Sequence, residues 1–204
     1  MADLRLNKTS LRGQMALLGQ LTKYLPTLQL KKQQLQMDVE QATLLMEAKA
    51  RDLAAAVAEM AVWKGLLGEL QAYDWTEQVQ VAEVKTGLEN IAGVDVPVFQ
   101  DVRFENTEYS LIATPELFEE AIERLRAAVR LREEIKVIRL RREFLEEELR
   151  QAKIKVNLFE KRMIPACREN IKRIRIFLGD MEIAALCNAK IAKAKLNRGP
   201  EAAA

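Results

Sequence analysis

The sequence contains no histidine, which removes the commonest general base and the commonest metal ligand among side chains. It has no glycine-rich stretch that ends in Gly-Lys-Ser or Gly-Lys-Thr, so it has no phosphate-binding loop of that kind. Nothing in it resembles a nucleophile elbow or paired cysteine ligands. We therefore expect a non-catalytic protein with neither a cofactor nor a metal.

Cysteines, aromatic residues and long apolar runs are also scarce. The two cysteines, Cys167 and Cys187, would stand ~30 Å apart on one helix, too far for an intrachain disulfide. We expect both to be buried thiols in a reducing compartment. No signal-peptide segment is recognisable at the N-terminus, and no run approaches the length of a membrane span. These observations predict a cytoplasmic protein with no membrane insertion.

What the chain has in abundance is Ala, Leu, Glu, Lys and Arg, a composition typical of long helices and coiled coils. A heptad begins at Leu11 and continues for nine repeats with few polar interruptions. Such a 3.5-residue repeat predicts a left-handed supercoil with a partner helix. One seam position is occupied by Leu11, Leu18, Leu25, Lys32, Val39, Met46, Leu53, Met60 and Leu67, and the other by Gln14, Leu21, Leu28, Leu35, Ala42, Lys49, Ala56, Trp63 and Leu70.

This first helix has a predicted cap and a predicted irregularity. Asn7, Thr9 and Ser10 are all able to cap its N-terminus, and Ser10 is the best placed of the three before Leu11. Pro26 removes one backbone hydrogen bond, so a kink is expected over the preceding turn. We expect the helix to end between Leu70 and Tyr73.

The middle of the chain changes character. Val94–Phe99 and Val102–Phe104 alternate as short strands do, and Pro97 indicates an edge strand. Asn106 and Thr107 suggest a turn. The predicted organisation is a shaft helix in residues 1–72, a small, acidic, partly β insertion in residues 73–114, and a second shaft helix with a basic tip in residues 115–204.

The second helix is predicted to begin after Thr114, with Pro115 in its first turn. At ~1.5 Å per residue, a helix over the rest of the chain would be on the order of 120 Å long. Pro165 is the one strong interruption, and the apolar stripe shifts register beyond it. The stripe before the shift is formed by Leu145, Leu149, Ala152, Val156, Phe159, Met163 and Ala166, and the stripe after it by Ile171, Ile174, Leu178 and Met181.

Two long helices joined by a small insertion predict a mainly α fold, an antiparallel two-helix coiled coil formed by the N- and C-terminal helices. In this arrangement Leu11 faces about Arg175, and Pro26 faces the region around Glu160. The final residues then extend past the N-terminus as a single helix. Because both terminal segments are rich in Lys and Arg, that end is predicted to be basic, while the insertion is acidic.

These residues resemble the D subunit of V-type and A-type rotary ATPases, the central-stalk shaft. The most specific match is the Val-Asn and Ile-Pro element in the stretch Lys155–Pro165. Leu28–Leu35 is similar to a Leu-Leu-Lys-x-Lys-x-x-Leu stretch of the family, and the order of helix, Val-Pro insertion and long helix also agrees. Tyr24–Thr27 and Leu186–Lys190 depart from the family pattern, which indicates a divergent branch.

The resemblance implies a rotor that couples ATP hydrolysis or synthesis to proton or sodium transport. Its implied partners are the A and B subunits of the catalytic hexamer, the small F subunit, and a funnel-shaped subunit on the membrane ring. A rotor must meet successive ring positions without locking onto one, which mobile basic side chains suit. We therefore expect Arg12, Arg175, Lys190 and Lys193 at the A/B ring, and Val96, Phe99 and Phe104 at the F subunit or lower stalk.

Two other classes of function are open on the sequence alone. A generic coiled-coil scaffold would explain the two stripes, but it would leave the β insertion and the Val-Asn and Ile-Pro element without a role. A basic-tipped binder of nucleic acid or anionic membranes would use the terminal lysines. The tail has no interleaved aromatic residues, and its cations are spread rather than clustered. We therefore expect no nucleic-acid partner.

Overall fold

The computed structural model describes residues 5–62, 75–105 and 117–198. Helix α1 is Lys8–Val62, the short helix α2 is Trp75–Gln78, and strands β1 and β2 are Val81–Ile91 and Val94–Phe104. Helix α3, Leu117–Leu158, leads through a π-helical turn, Phe159–Met163, into helix α4, Ile164–Arg198. Two compact units divide the chain, one made of residues 1–30 and 152–204 and the other of residues 31–151.

The N-terminus of α1 is capped by Asn7 rather than by Ser10. The side-chain Oδ1 of Asn7 accepts a hydrogen bond from the backbone N–H of Ser10 at 2.7 Å. The backbone carbonyl of Asn7 accepts the N–H of Leu11, which closes the first turn. The prediction of Ser10 was wrong because the helix begins two residues before it, and an asparagine in the preceding position satisfies a free N–H equally well.

Replacing Asn7 by alanine is expected to lower the free energy of unfolding by about 1 kcal/mol, because one N–H of the first turn loses its acceptor. Ser10→Ala serves as the matched control, since it is the backbone of Ser10, which the substitution keeps, that donates to the cap. Urea titration followed by circular dichroism measures both variants. Equal losses for Asn7→Ala and Ser10→Ala would contradict the assignment of the cap.

In α1, all described residues at the two heptad positions are buried or half-buried. Leu21, Leu35 and Ala42 are the most deeply buried among them. The helix continues through Pro26 without ending. The heptad prediction is thus confirmed for the described part of α1, while its last members, together with the predicted helix end near Leu70, lie outside the described residues.

In the first unit, α1 and the C-terminal helices pack antiparallel. Gln29 donates a hydrogen bond to Glu160, while Gln14, earlier in α1, pairs with Asn170, later in α4. A core of Leu21, Ile164 and Cys167 lies between them, with Leu17, Leu18, Leu25, Phe159 and Met163 packed against it. The predicted facing of the Pro26 region with Glu160 is confirmed to within about one helical turn.

The π-helical turn explains the predicted break in the apolar stripe. The backbone N–H of Ile164 donates to the carbonyl of Phe159, five residues earlier, so one extra residue is accommodated before Pro165. Cys167 is consequently buried, and Ala166, which we expected in the seam, is exposed. A break of the stripe near Pro165 was predicted correctly, but the assignment of Ala166 to the buried stripe was wrong. Ile171 and Ile174 continue the shifted stripe as buried residues.

In the second unit, α1 and α3 are also antiparallel. Lys49 forms a salt bridge with Glu134 at 2.9 Å, and Glu59, later in α1, lies 3.8 Å from Arg124, earlier in α3. The core of this unit includes fully buried Leu35 and Leu145. The helical class and the antiparallel helix pairing predicted from the sequence are confirmed within each unit.

The insertion contains an antiparallel hairpin of β1 and β2. A two-residue turn joins the strands, and both its residues, Ala92 and Gly93, have positive φ, as a type I′ turn requires. The ladder is irregular between Lys85 and Thr86, and Gln100 is the residue without a partner on β2. The partly β insertion is confirmed, but the strands predicted at Val94–Phe99 and Val102–Phe104 are parts of the single strand β2. Its predicted limits at 73 and 114, the Thr114 cap and the Asn106–Thr107 turn lie outside the described residues.

The hairpin lies along α3 and is held there by polar contacts. Asp101 forms a salt bridge with Arg130 at 3.0 Å, and Glu89 forms one with Arg141 at 3.2 Å. The guanidinium of Arg126 lies 5.3 Å from the centre of the Phe104 ring and donates to the backbone carbonyl of Gln78. Because these α3 arginines fall near one side of the helix, the strands follow its axis.

Candidate interaction surfaces

The predicted ring residues Arg12 and Arg175 lie together. Both line one surface groove of about 370 Å³ between α1 and α4 in the first unit. Leu11 lines the same groove, so the predicted facing of Leu11 and Arg175 is confirmed. Lys8, Leu178, Gly179 and Glu182 complete the lining. Three of the lining side chains are cationic and one is anionic, so the groove is basic on balance.

The predicted residues Lys190 and Lys193 lie on the final part of α4, where every residue from 180 to 196 is exposed. At 3.6 residues per turn, Lys193 falls on the same side of α4 as Arg175, and Lys190 lies about 60° around the helix from that line. Apolar side chains are exposed here as well, among them Met181, Ile183, Leu186, Ile191 and Leu196. Among residues 180–196, Glu182 lines the basic groove, and none is buried by contact with the rest of the described chain.

The three predicted residues of the insertion differ in accessibility. Val96 is fully buried at 0% exposure, so its side chain has no surface for a partner. Phe99 is half-buried, and Phe104 is half-buried beneath Arg126. Strand geometry accounts for the difference, because Val96 and Phe99 are an odd number of residues apart on one strand and point to opposite faces.

The hairpin face that carries Phe99 contains residues which the sequence reasoning missed. Leu88 is 80% exposed and pairs across the strands with Pro97, and the next pair along this face is Thr86 with Phe99. Period-two alternation counted from Phe99 would have found Pro97. Leu88 required the strand register, which the turn at Ala92 and Gly93 sets.

The two cysteines lie in different environments. Cys167 is in the core of the first unit, and burial raises the pKa of its thiol. Cys187 is exposed on the final part of α4, so the expectation that both thiols are buried was wrong for Cys187. The error follows from the helix pairing, since α4 continues beyond the residues that face α1.

A thiol reagent is expected to modify Cys187 rapidly in the native protein and Cys167 only after unfolding. The difference arises because Cys167 is sterically covered and held as the protonated thiol, whereas the thiolate is the reactive form. Iodoacetamide labelling with peptide mass analysis, with and without urea, measures both sites. Rapid native labelling of Cys167 would contradict its place in the core.

One large pKa shift lies away from these surfaces, in the second unit. Hydrogen bonds from Arg150 and Gln151 lower the pKa of Glu147 from 4.5 to about 2. The stabilising contribution of the ionised carboxylate is present above its ordinary pKa and is lost as the pH falls toward 2. Because the group is exposed, the pair contributes little to stability.

No group of acidic or cysteine side chains in the described ranges is arranged to hold a metal ion.

Comparison with known proteins identifies the family to which the chain belongs. A model of the ATP synthase D-subunit family matches residues 10–194, which include parts of both compact units. This chain belongs to the ATP synthase D-subunit family. The resemblance first indicated by the Lys155–Pro165 stretch is thereby confirmed, and the departures at Tyr24–Thr27 and Leu186–Lys190 fall inside the matched range.

Similar proteins cover almost the same length. The chain is 36% identical over 196 residues to the V-type ATP synthase D subunit of Borreliella burgdorferi, with 96% of each chain covered. It is 36% identical over 208 residues to the protein of the same name from Chlamydia muridarum, covering 98% of this chain and 99% of the other. The corresponding Chlamydia caviae protein is 32% identical over 205 residues, covering 98% of this chain and 97% of the other. In the parts of the chain that the structure describes, no helix has the length and apolarity needed to span a membrane.

Proposed function

We propose that this chain is the central-stalk D subunit of a V-type ATP synthase and that it transmits torque without catalysing any reaction. The observation that carries the proposal is the family match over residues 10–194, supported by relatives covered along nearly their whole length. The torque couples ATP turnover in a catalytic ring of A and B subunits to ion movement through a membrane ring. The protein acts in the cytoplasm as a peripheral part of that complex.

The helix pairs support this role in physical terms. A protein that transmits torque must resist twisting, and each unit joins two antiparallel helices through a buried seam. Ion pairs and side-chain hydrogen bonds between the helices add to the seam, as in Lys49 with Glu134 and Gln29 with Glu160. Slippage of one helix against the other would expose buried side chains, which costs about 0.8 kcal/mol for each methylene group.

The exposed basic end of α4 supports contact with the catalytic ring. Residues 180–196 are all exposed, and they include both lysines and large apolar side chains. We assign Arg12, Arg175, Lys190 and Lys193 to the surface that meets the A and B subunits. Long cationic side chains adapt to successive positions of the ring more readily than a rigid apolar plug does.

The insertion is proposed to meet the F subunit and the funnel-shaped subunit. Phe99 remains in this assignment, together with Leu88 and Pro97 on the same face of the hairpin. Val96 and Phe104 are assigned to the support of this surface rather than to direct contact with a partner, since Val96 is buried and Phe104 packs under Arg126. The proposed limits are residues 1–72 for the first shaft helix, 73–114 for the insertion and 115–204 for the second shaft helix with its basic tip.

Affinity purification from a host that expresses the whole complex tests the proposal. A tagged chain is expected to bring down the A, B and F subunits in constant ratio. A generic coiled-coil scaffold would bring down no ATPase subunits. A nucleic-acid or anionic-membrane binder would instead shift with DNA or anionic vesicles in a salt-dependent way.

Charge reversal at Lys190, Lys193 and Lys195 is expected to lower coupled ATPase activity in the assembled complex, because the proposed ring contact then becomes repulsive. The matched control reverses Lys153, Lys161 and Arg162, which are also exposed and form no salt bridge with a described residue. Activity and ion transport are measured together. Unchanged coupled activity with the first set of substitutions would refute the ring contact.

A further inference from the structure

The buried stripe of the C-terminal helices in the first unit contains one residue more than a heptad requires. Val156 and Ile164 are the buried members of this stripe before and after the π-helical turn, and they are eight residues apart, where a heptad repeats every seven. If the chain were one residue shorter here, the two parts of the stripe would join without a shift. The extra residue is therefore not needed to pack the seam. The buried residues of the stripe are Ala152, Val156, Ile164, Cys167, Ile171 and Ile174.

The extra residue leaves one backbone carbonyl of the described helix without a helical donor. The N–H of Ile164 donates to the carbonyl of Phe159 and is then unavailable to the carbonyl of Glu160, its ordinary α-helical acceptor. The donor at the π-helical spacing from Glu160 would be residue 165, but that residue is proline and has no N–H. The carbonyls of Phe159 and Glu160 are thus alternative acceptors for the N–H of Ile164.

Side-chain packing holds this turn only loosely. All five residues of the turn are exposed or half-buried, and Phe159 and Met163 lie at the edge of the core rather than within it. Across the seam, Gln29 forms a side-chain hydrogen bond with Glu160, and α1 lacks a backbone donor of its own at Pro26. Both helices are therefore least restrained at about the same level of the first unit.

We propose that the π-helical turn is a conformational device that takes up changes in the winding of the C-terminal helix. The change is an exchange of the Ile164 N–H from the carbonyl of Phe159 to that of Glu160, which lets the turn wind and unwind under load. The buried stripe on each side of the turn stays packed against α1, so the change is confined to the turn. This inference rests on the proposed function for the torque that drives the exchange, and it identifies the residues that respond to that torque.

Amide hydrogen exchange of the free, full-length chain tests whether the turn opens. Ile164 and Ile171 are a matched pair, because they are the same residue type on one helix and are 8% and 7% exposed. The amide of Ile164 is expected to exchange faster than that of Ile171 by on the order of tenfold, since a turn that rewinds must break this hydrogen bond. Nuclear magnetic resonance resolves the two amides. Equal exchange rates would overturn the inference.

Deletion of Lys161 removes the extra residue, and Lys161→Ala is the matched control, because it removes the same exposed side chain and keeps the length. In the deletion variant a regular α-helix can carry the whole stripe. The exchange of the Ile164 amide is expected to slow to the rate of Ile171 in the deletion variant and to stay fast in Lys161→Ala. Circular dichroism verifies that both variants keep the helical content of the parent. Fast exchange that persists in the folded deletion variant would contradict the inference, and if that variant does not fold, the comparison of Ile164 with Ile171 in the parent decides.

The assembled complex tests whether torque drives the exchange. Exchange of the amides of residues 159–164 is compared between a complex that turns over ATP and one stopped by a non-hydrolysable ATP analogue. Faster exchange during turnover is expected with the parent and with Lys161→Ala, and no difference is expected with the deletion variant. An unchanged rate in a parent complex that hydrolyses ATP overturns the inference and leaves the central-stalk function standing. A chain that assembles with neither A nor B subunits overturns the proposed function and with it the torque that the inference requires.

Discussion

Replacement of Leu35 by alanine is expected to lower the free energy of unfolding by about 2–5 kcal/mol, the range measured for leucines in well-packed cores. Leu35 has 0% exposure and occupies a heptad position of α1 in the second unit. The substitution removes the transfer free energy of the lost methylene and methyl groups. It also leaves a cavity, because helices held by a seam on both sides of the site close around the space only in part.

Leu44→Ala is the matched control for this prediction. Leu44 is on the same helix but is 66% exposed, so the same chemical change removes little buried surface. Its effect on the free energy of unfolding is expected to stay within about 0.5 kcal/mol. Urea titrations of both variants, followed by circular dichroism as the helix signal, give the comparison. A Leu35→Ala loss no larger than that of Leu44→Ala would mean that the heptad seam contributes no stabilising core.

The heptad explains why so much of the helical fold was predictable. The repeat can be recognised within α1 alone, because apolar side chains recur at the same spacing whichever residues of the other helix they face. The antiparallel facing of Leu11 with Arg175 also followed from the sequence, because a short insertion between two long helices leaves few other arrangements. The N-cap was less determined, since Asn7 and Ser10 are chemically near-equivalent caps and the choice depends on where the chain enters the helix.

The seam beyond Pro165 could not be placed residue by residue from the sequence. Proline predicts a disturbance, but the helix can respond by kinking, by fraying or by adding a residue to one turn. Here the extra residue is taken up in Phe159–Met163, and this choice moves Cys167 into the core and Ala166 to the surface. The outcome depends on packing against Leu21 on α1, which is a tertiary effect.

The insertion was predicted in type but not in detail. Valine-rich alternation identified β2, although as two short strands rather than one, and it did not identify β1. The turn was missed because Ala92 is an unusual residue for a positive φ. Without the turn, the register and the outward face of the hairpin could not be assigned. Val96 was grouped with Phe99 in error, because alternation along the single strand places them on opposite faces whatever the turn is.

Removal of residues 180–204 is expected to leave the stability of the fold nearly unchanged and to weaken binding to the catalytic ring by at least about tenfold. Residues 180–196 are all exposed, so their loss removes no buried core from the described chain. The new terminus would follow Gly179, and glycine is a favourable residue at the end of a helix. The same deletion removes Lys190 and Lys193 together with the exposed apolar residues of the final part of α4.

The two halves of this prediction are measured separately, by urea titration of the free chain and by co-purification and coupled ATPase activity of the complex. A full-length Lys190→Gln, Lys193→Gln variant shows how much of the loss is electrostatic, because it keeps the apolar side chains in place. A lowered urea midpoint for the truncated chain would mean that this part of α4 packs within the fold. An unchanged midpoint with unchanged ring binding would instead mean that the exposed end of α4 is not the ring contact. Only a stable chain that binds poorly agrees with a helix end whose exposed surface is completed by a partner protein.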